Sequence, residues 1–217
     1  MRRLRGTAAA AVTALAVLAG CSSGSGNTPV AIIGGGTQAS FAGDLLQPPT
    51  HEPSFTLEDT SGHQYDLRAR TAGKIVLVYF GYTHCPDICP TLMADIAQAL
   101  RESSTAVRRH VKVAFISVDP VRDSTTVIRT WLDHFDPSFI GLRGSIRQII
   151  AVQHELGVPA SQVRPHSKHG YTVEHSAEIL AFTPDHLAHL LYTEGPTTIQ
   201  DIKGDLAALV KEGKWGA

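Results

Sequence analysis

The sequence predicts an α/β domain built on a mixed central sheet flanked by helices. Three observations carry this prediction. A continuous apolar, β-branched run at residues 75–80 has the composition of a strand buried on both faces, and residues 111–118, mostly apolar, read as a second buried strand. Segments of helical periodicity follow both runs, so strands and helices alternate. Turn-punctuated pairs of short apolar segments near both ends of the domain read as hairpins, which add antiparallel strands to a parallel core.

In chain order, residues 54–58 and 63–67 flank Asp59-Thr60-Ser61-Gly62, a hairpin signal. The buried run 75–80 follows. Residues 91–102 place Leu92, Ile96, Ala99 and Leu100 at helical spacing, and 111–118 is the second buried strand. Residues 123–135 repeat the helical spacing through Val127, Ile128, Trp131 and Leu132. A short strand over 139–142 and a helix over 146–156 come next. Residues 178–182 and 187–192 bracket Thr183-Pro184-Asp185-His186, the second hairpin, and 199–211 closes the chain as an amphipathic helix. This order is that of a thioredoxin-like fold with an added N-terminal β-hairpin.

Composition agrees with a globular domain. Of 217 residues, 43% are hydrophobic and 18% charged, which supplies a core and excludes a disordered chain. Net charge is −1, with no basic block beyond residues 2–5, so no electrostatic footprint for nucleic acid is present. Arg2, Arg3 and Arg5 precede an apolar stretch over 7–18, too short for the ~20 residues that span a bilayer. Residues 1–20 therefore read as a signal peptide. The stretch ends in Leu18-Ala19-Gly20-Cys21, which looks like a bacterial lipobox. That likeness implies a diacylglyceryl group on Cys21, cleavage before it, and a domain held at the extracytoplasmic face of the cell membrane; the alternative is ordinary secretion. Arg2-Arg3 leaves Tat export open beside Sec. Residues 21–52, rich in Ser, Gly and Pro, read as a flexible tether, with the folded domain over 53–217.

With Cys21 lipidated, Cys85 and Cys89 are the remaining cysteines, in a compartment where thiols tend to oxidise. They lie in Phe80-Gly81-Tyr82-Thr83-His84-Cys85-Pro86-Asp87-Ile88-Cys89-Pro90, between a buried strand and a helix, where open α/β sheets place ligands. A residue before proline is pushed out of the α region, so neither cysteine is expected in the helix. Pro90 suits the first helical position, which puts Cys89 at the N-cap. Pro86 pre-sets a turn that brings Cys85 back toward Cys89. Both sulfurs then sit near the positive end of a helix, which favours thiolate.

Such a pair can close a disulfide or share a metal. A soft cation such as Cu(I) is well served by two thiolates, whereas Zn²⁺ is left under-coordinated, so a third ligand is sought. The leading candidate is His175, in Val173-Glu174-His175-Ser176, just before a strand expected beside 75–80. His84, next to Cys85, is a rival. His166 and His169 form a loop pair, and His134 and His154 lie on expected helices. A second polar cluster, Ser117-Val118-Asp119-Pro120-Val121-Arg122-Asp123, ends the second buried strand. Asp119 there could orient a ligand or a partner's cation, while Asp123 or Ser124 could simply cap the next helix.

Gly81–Pro90, the run Ile116-Ser117-Val118-Asp119-Pro120-Val121-Arg122-Asp123 and Glu174-His175-Ser176 together resemble the Sco/SenC family of copper-binding thioredoxin-fold proteins, over residues from about 55 to 210. The resemblance implies copper ligands at Cys85, Cys89 and His175, binding of both Cu(I) and Cu(II), and a metallochaperone that acts on the binuclear copper centre of cytochrome c oxidase subunit II. It also implies a copper donor upstream. Some members are thought to reduce that subunit's cysteines, which makes Cys85 and Cys89 a redox pair in the alternative reading, an extracytoplasmic thiol–disulfide oxidoreductase. Many relatives have Asp where this chain has Glu174. Tyr82 and Asp119, beside the cysteine loop, and Glu174, next to the ligand histidine, are expected either to support the ligands from behind or to frame a docking surface.

Other enzymatic readings fit less well. A thioredoxin-type oxidoreductase places a cis-proline opposite its cysteines, and the interval 172–176 has no proline. Peroxiredoxins carry a threonine three residues before the reactive cysteine, where this chain has Tyr82. An inert structural disulfide makes poor use of two Cys-Pro units beside a helix start.

Overall fold

The computed structural model describes residues 41–166, 170–193 and 198–212. The lipobox, Cys21, the rest of segment 1–40 and His169 lie outside the described residues. In chain order the elements are β1 (Asp44–His51), β2 (Thr56–Asp59), β3 (Gln64–Asp66), α1 (Leu67–Arg70), β4 (Ile75–Gly81), α2 (Ile88–Glu102), α3 (Thr105–His110), β5 (Val111–Ser117), α4 (Thr125–Asp133), β6 (Ile140–Arg143), α5 (Ile146–Glu155), β7 (Gln162–His166), β8 (Gly170–Glu174), β9 (Ile179–Phe182), β10 (Leu187–Tyr192) and α6 (Ile199–Glu212).

A single sheet takes the order β1-β10-β9-β4-β5-β6-β2-β3, and β7 pairs with β8 in a separate two-stranded sheet. Strands β4, β5 and β6 are parallel, while β9, β10 and β1 on one side and β2 and β3 on the other are antiparallel. This is a thioredoxin-like fold, and the added hairpin β2–β3 docks at one edge through β2 and β6. Every residue of β4 is buried, which is why that strand shows no polar alternation. Tyr79, Phe80, Phe115, Phe139 and Phe182 form the bulky centre of the core.

The sheet also takes in residues that composition assigns to the tether. Strand β1 pairs with β10 and buries Leu46. Its register shifts between Leu45 and Thr50, around Pro48 and Pro49, which lack the N–H a ladder needs. An edge strand tolerates that loss, so the folded domain starts before residue 53. The hairpin β7–β8 and the short helices α1 and α3 are likewise additions to the sequence expectation. Helix α4 is capped by Ser124, whose side chain accepts from the Val127 N–H; Asp123 turns inward instead. Helix α5 opens with a capping box between Ser145 and Gln148.

Helix α2 starts at Ile88, earlier than expected, and contains Cys89. Cys89 is thus not the N-cap, and Pro90 stands third in the helix rather than first. The first-turn N–H groups have no intrahelical acceptor, so proline costs the helix no hydrogen bond there. Asp87 at the N-cap makes no side-chain cap; the sulfur of Cys85 accepts from the Cys89 N–H at 3.4 Å and does part of that work.

Strands β4 and β5 end side by side, with Gly81 in register with Ser117. Strand β9 runs back along β4 and begins at the same end, Ile179 facing Tyr79. The loops after β4 and β5 and the segment before β9 therefore meet at one pole of the molecule.

Candidate metal centre

Cys85, Cys89 and His175 converge at that pole, their ligand atoms all within 4.8 Å of one another. Each arrives by a different device. Cys85 sits in the turn after β4, its N–H bonded to the Tyr82 carbonyl at 3.2 Å. Cys89 is carried by the first turn of α2 and is fully buried, against 9% exposure for Cys85. His175 follows β8 and is half-buried. Its Nδ1–H donates to the Ser176 carbonyl at 2.9 Å, which leaves the Nε2 lone pair facing the Cys89 sulfur at 3.3 Å. Three donors around one soft ion at ~2.0–2.3 Å stand about 4 Å apart, so shifts of under about 1 Å, opening the Cys89–His175 side and closing the longer ones, would fit this triangle to an ion. Two thiolate sulfurs and one imidazole suit a copper ion and leave zinc short of its usual four ligands.

The two thiols differ. Both cysteines are unbridged. Hydrogen bonding from Cys89 outweighs burial and holds the Cys85 thiol well below its ordinary value. The same pairing, reinforced by burial, pushes the Cys89 thiol upward, although the Tyr79 hydroxyl donates to its sulfur at 3.3 Å. Cys85 is thus the more readily ionised sulfur, and Cys89 the one that holds its proton longer. Gly81 lets this packing close: a Cβ there would lie 2.8 Å from the Tyr79 ring, 2.9 Å from the Phe115 ring and 3.1 Å from the Cys89 sulfur.

The surroundings depart from expectation. Tyr82 and Asp119 are buried, at 3% and 2% exposure, so neither presents a docking surface. Tyr82 instead stands edge-on to His175, ring centroids 5.5 Å apart, and its hydroxyl meets the Val173 backbone. The Asp119 carboxylate accepts from Arg122 Nε and from the Tyr171 hydroxyl, the latter at 2.7 Å. Arg122 also donates to the Tyr171 carbonyl at 3.1 Å and lies over the Tyr171 ring at 3.8 Å. This lock fastens the detached β7–β8 hairpin, and with it His175, to the end of the main sheet. Glu174 is exposed and pairs with Arg164 at 2.7 Å across the hairpin, away from the metal ligands.

The inward-facing Asp123 ties the cysteine loop to β5. Its carboxylate accepts from the Thr83 hydroxyl at 2.6 Å, the Thr83 N–H at 3.0 Å and the Ser117 hydroxyl at 2.6 Å. Tyr79, Arg122, Tyr171 and this role of Asp123 were outside the sequence expectation. A tyrosine inside an otherwise apolar buried run is the one signal that could have drawn attention to Tyr79, because its hydroxyl needs a partner. Of the rival histidines, His134 lies against the Trp131 carbonyl, and His84 turns toward Thr83 and Asp123.

Comparison with known proteins places this geometry. The sequence model of the SCO1/SenC family matches residues 43–211. "Protein SCO2 homolog, mitochondrial" from Bos taurus is 35% identical over 144 residues, 66% of this chain and 54% of its own length. The chain spans about half the length of such curated relatives. The solution structure of apo Sco1 from Thermus thermophilus superposes with a TM-score of 0.70 at 32% identity, over 80% of this chain and 99% of that one. ScoI from Bradyrhizobium japonicum, solved with copper bound, gives 0.64 at 31% identity over 74% and 99%.

Proposed function

The chain belongs to the SCO1/SenC family, and from that premise we propose that it is a copper-binding metallochaperone that delivers copper to, or prepares, the binuclear copper site of cytochrome c oxidase subunit II. The convergence of Cys85, Cys89 and His175 carries this reading. Cys85 and Cys89 hold Cu(I), which two soft sulfurs satisfy; the Nε2 of His175 completes the set for Cu(II), whose preference moves toward nitrogen. Cys85 ionises the more readily of the two, so loading the site has chiefly to displace the proton of Cys89, and reprotonation of the sulfurs favours release. The ion comes from a separate copper donor. In this reading residues 1–20 are removed, Cys21 carries the lipid, and the chain up to the start of β1 holds the domain at the extracytoplasmic face of the cell membrane. Among the described residues no helix is long and apolar enough to cross a membrane.

The reduced protein should take up about one copper per chain under anaerobic conditions, since the donor set is single. Cu(II) should give a sulfur-to-copper charge-transfer absorption that His175→Ala greatly weakens. Transfer to the isolated copper-binding domain of subunit II should then proceed from the loaded protein. Retention of the full absorption in His175→Ala would remove that residue from the site, and failure to bind copper would overturn the reading.

The asymmetry of the two thiols favours a second reading, reduction of the cysteines of subunit II. The Cys85 thiolate would attack one sulfur of the partner disulfide, and the released partner sulfur would take a proton. Cys89 would lose its proton and attack Cys85, forming the Cys85–Cys89 disulfide and freeing the second partner thiol. The pair loses two electrons and the partner gains them. Turnover of a subunit II disulfide by the copper-free protein, with no transfer of copper, would select this reading over the first.

A further inference from the structure

We infer that His84 is a capture ligand for the travelling ion: an imidazole fixed at the rim of the cysteine loop, whose Nε2 binds a soft or borderline metal before it reaches the buried sulfurs. This inference rests on the copper reading above and adds a residue that the three-ligand site does not use.

The buried sulfurs create the need. Cys89 is fully buried and Cys85 nearly so, whereas the His84 side chain is 52% exposed and adjoins Cys85 in the chain. Of these side chains, the His84 imidazole is the one most open to an ion arriving on a donor.

The hydrogen bonds prepare that imidazole. Thr83 Oγ1 commits its single proton to Asp123 Oδ1, 2.6 Å away. The same oxygen lies 3.1 Å from His84 Nδ1, and having no second proton it can only accept there. Nδ1 of the neutral ring therefore carries the hydrogen, and the lone pair is left on Nε2. The Asp123 carboxylate is itself fixed by the Ser117 hydroxyl and the Thr83 N–H. A carboxylate, a hydroxyl and an imidazole in series orient a metal-ligating histidine as an outer shell does. The anchor is also the group that holds the cysteine loop to β5, so His84 and Cys85 share one rigid base.

The exchange balances without redox chemistry. His84 Nε2 replaces one ligand of the donor, and Cys85 then adds as a thiolate. Cys89 displaces Nε2 as its proton passes to the departing donor or to solvent. The ion keeps its charge and is never free.

The test follows uptake by stopped-flow mixing of the reduced protein with Cu(I) held by a coloured bidentate chelator, and then records the Cu(II) charge-transfer absorption at equilibrium. His84→Ala should slow uptake about tenfold and reach the same final absorption, in line with the usual effect of removing a metal-orienting group. Thr83→Val, which keeps the imidazole but frees it, should slow uptake in the same direction by a smaller factor. His154→Ala, an exposed histidine on α5, should load at the unsubstituted rate. Uptake by His84→Ala at the unsubstituted rate would overturn the inference, as would an altered final absorption, which would make His84 a resting ligand. Absence of the absorption from the unsubstituted protein would instead overturn the copper reading itself.

Discussion

Cys85 and Cys89 are four residues apart in the chain and chemically unlike, because Cys89 donates to the Cys85 sulfur and is itself the more deeply buried. An ordinary thiol loses nucleophilicity about tenfold for each pH unit below ~8.5, as its thiolate fraction falls. With its pKa lowered, Cys85 keeps its thiolate as pH falls through that range and loses it only once pH drops through the depressed value. Iodoacetamide should therefore label Cys85 at nearly constant rate from pH 8 to pH 6, with Cys89 protected, as read by peptide mass spectrometry. Equal labelling of the two, or a rate at Cys85 that falls tenfold per unit, would contradict the assignment. Gly81 gives a second test at this scale. An added methyl group would press on the Tyr79 and Phe115 rings and on the Cys89 sulfur. Gly81→Ala should cost about 1–3 kcal/mol in chemical denaturation, the usual range for overpacking. It should also shift the Cu(II) charge-transfer absorption, because the sulfur is the group least able to keep its place.

At the scale of elements, the third ligand depends on a hairpin that is not part of the main sheet. Among the described residues β7 and β8 pair only with each other, and the Arg122–Asp119–Tyr171 lock joins them to the loop after β5. Arg122→Ala should weaken the Cu(II) absorption toward that of His175→Ala while Cu(I), held by the two sulfurs, is retained. Arg122→Lys should fail to restore it, since the lock uses a planar guanidinium that bonds and stacks at once. An unchanged Cu(II) spectrum in Arg122→Ala would show that the hairpin holds His175 without it. The same elements mark the limit of what sequence reveals. Strands β4, β5, β9 and β10, the hairpin β2–β3 and helices α2, α4, α5 and α6 were legible, because each carries a long apolar period or a turn signal. The meeting of Cys85, Cys89 and His175 was legible from the order of those strands together with the motif resemblance. Strand β1 was not, because Pro48 and Pro49 hide an edge strand inside a proline-rich stretch. The β7–β8 hairpin was not, because Arg164 and Pro165 break the apolar alternation of a strand that lies outside the core. The burial of Asp119 was not, since its partners Arg122 and Tyr171 are brought together only by the tertiary fold.

For the whole molecule, the three ligands come from two regions far apart in sequence: Cys85 and Cys89, four residues apart across the loop after β4 and the start of α2, and His175 in the link between β8 and β9. The unfolded chain neither fixes the separation of the two sulfurs nor keeps His175 beside them, so copper binding favours the native state. A ligand in thousandfold excess over its dissociation constant contributes about 4 kcal/mol. For a domain of this size each kcal/mol raises Tm by about 2–4 °C. Cu(I) should therefore raise the thermal midpoint of the reduced protein by on the order of 10 °C, and a strong Cu(I) chelator should reverse the shift. The substitutions should divide by oxidation state. Cys89→Ser should abolish the shift with either ion, while His175→Ala should keep most of the Cu(I) shift and lose most of the Cu(II) shift. The reason lies in the architecture. The two sulfurs lie between β4 and α2, which already pack within the core, whereas of the three ligands the imidazole is the one set beside the outlying hairpin. If His175→Ala lost both shifts equally, the histidine would be a ligand in each oxidation state, and the hairpin would be part of every copper-bound form rather than a segment recruited by Cu(II).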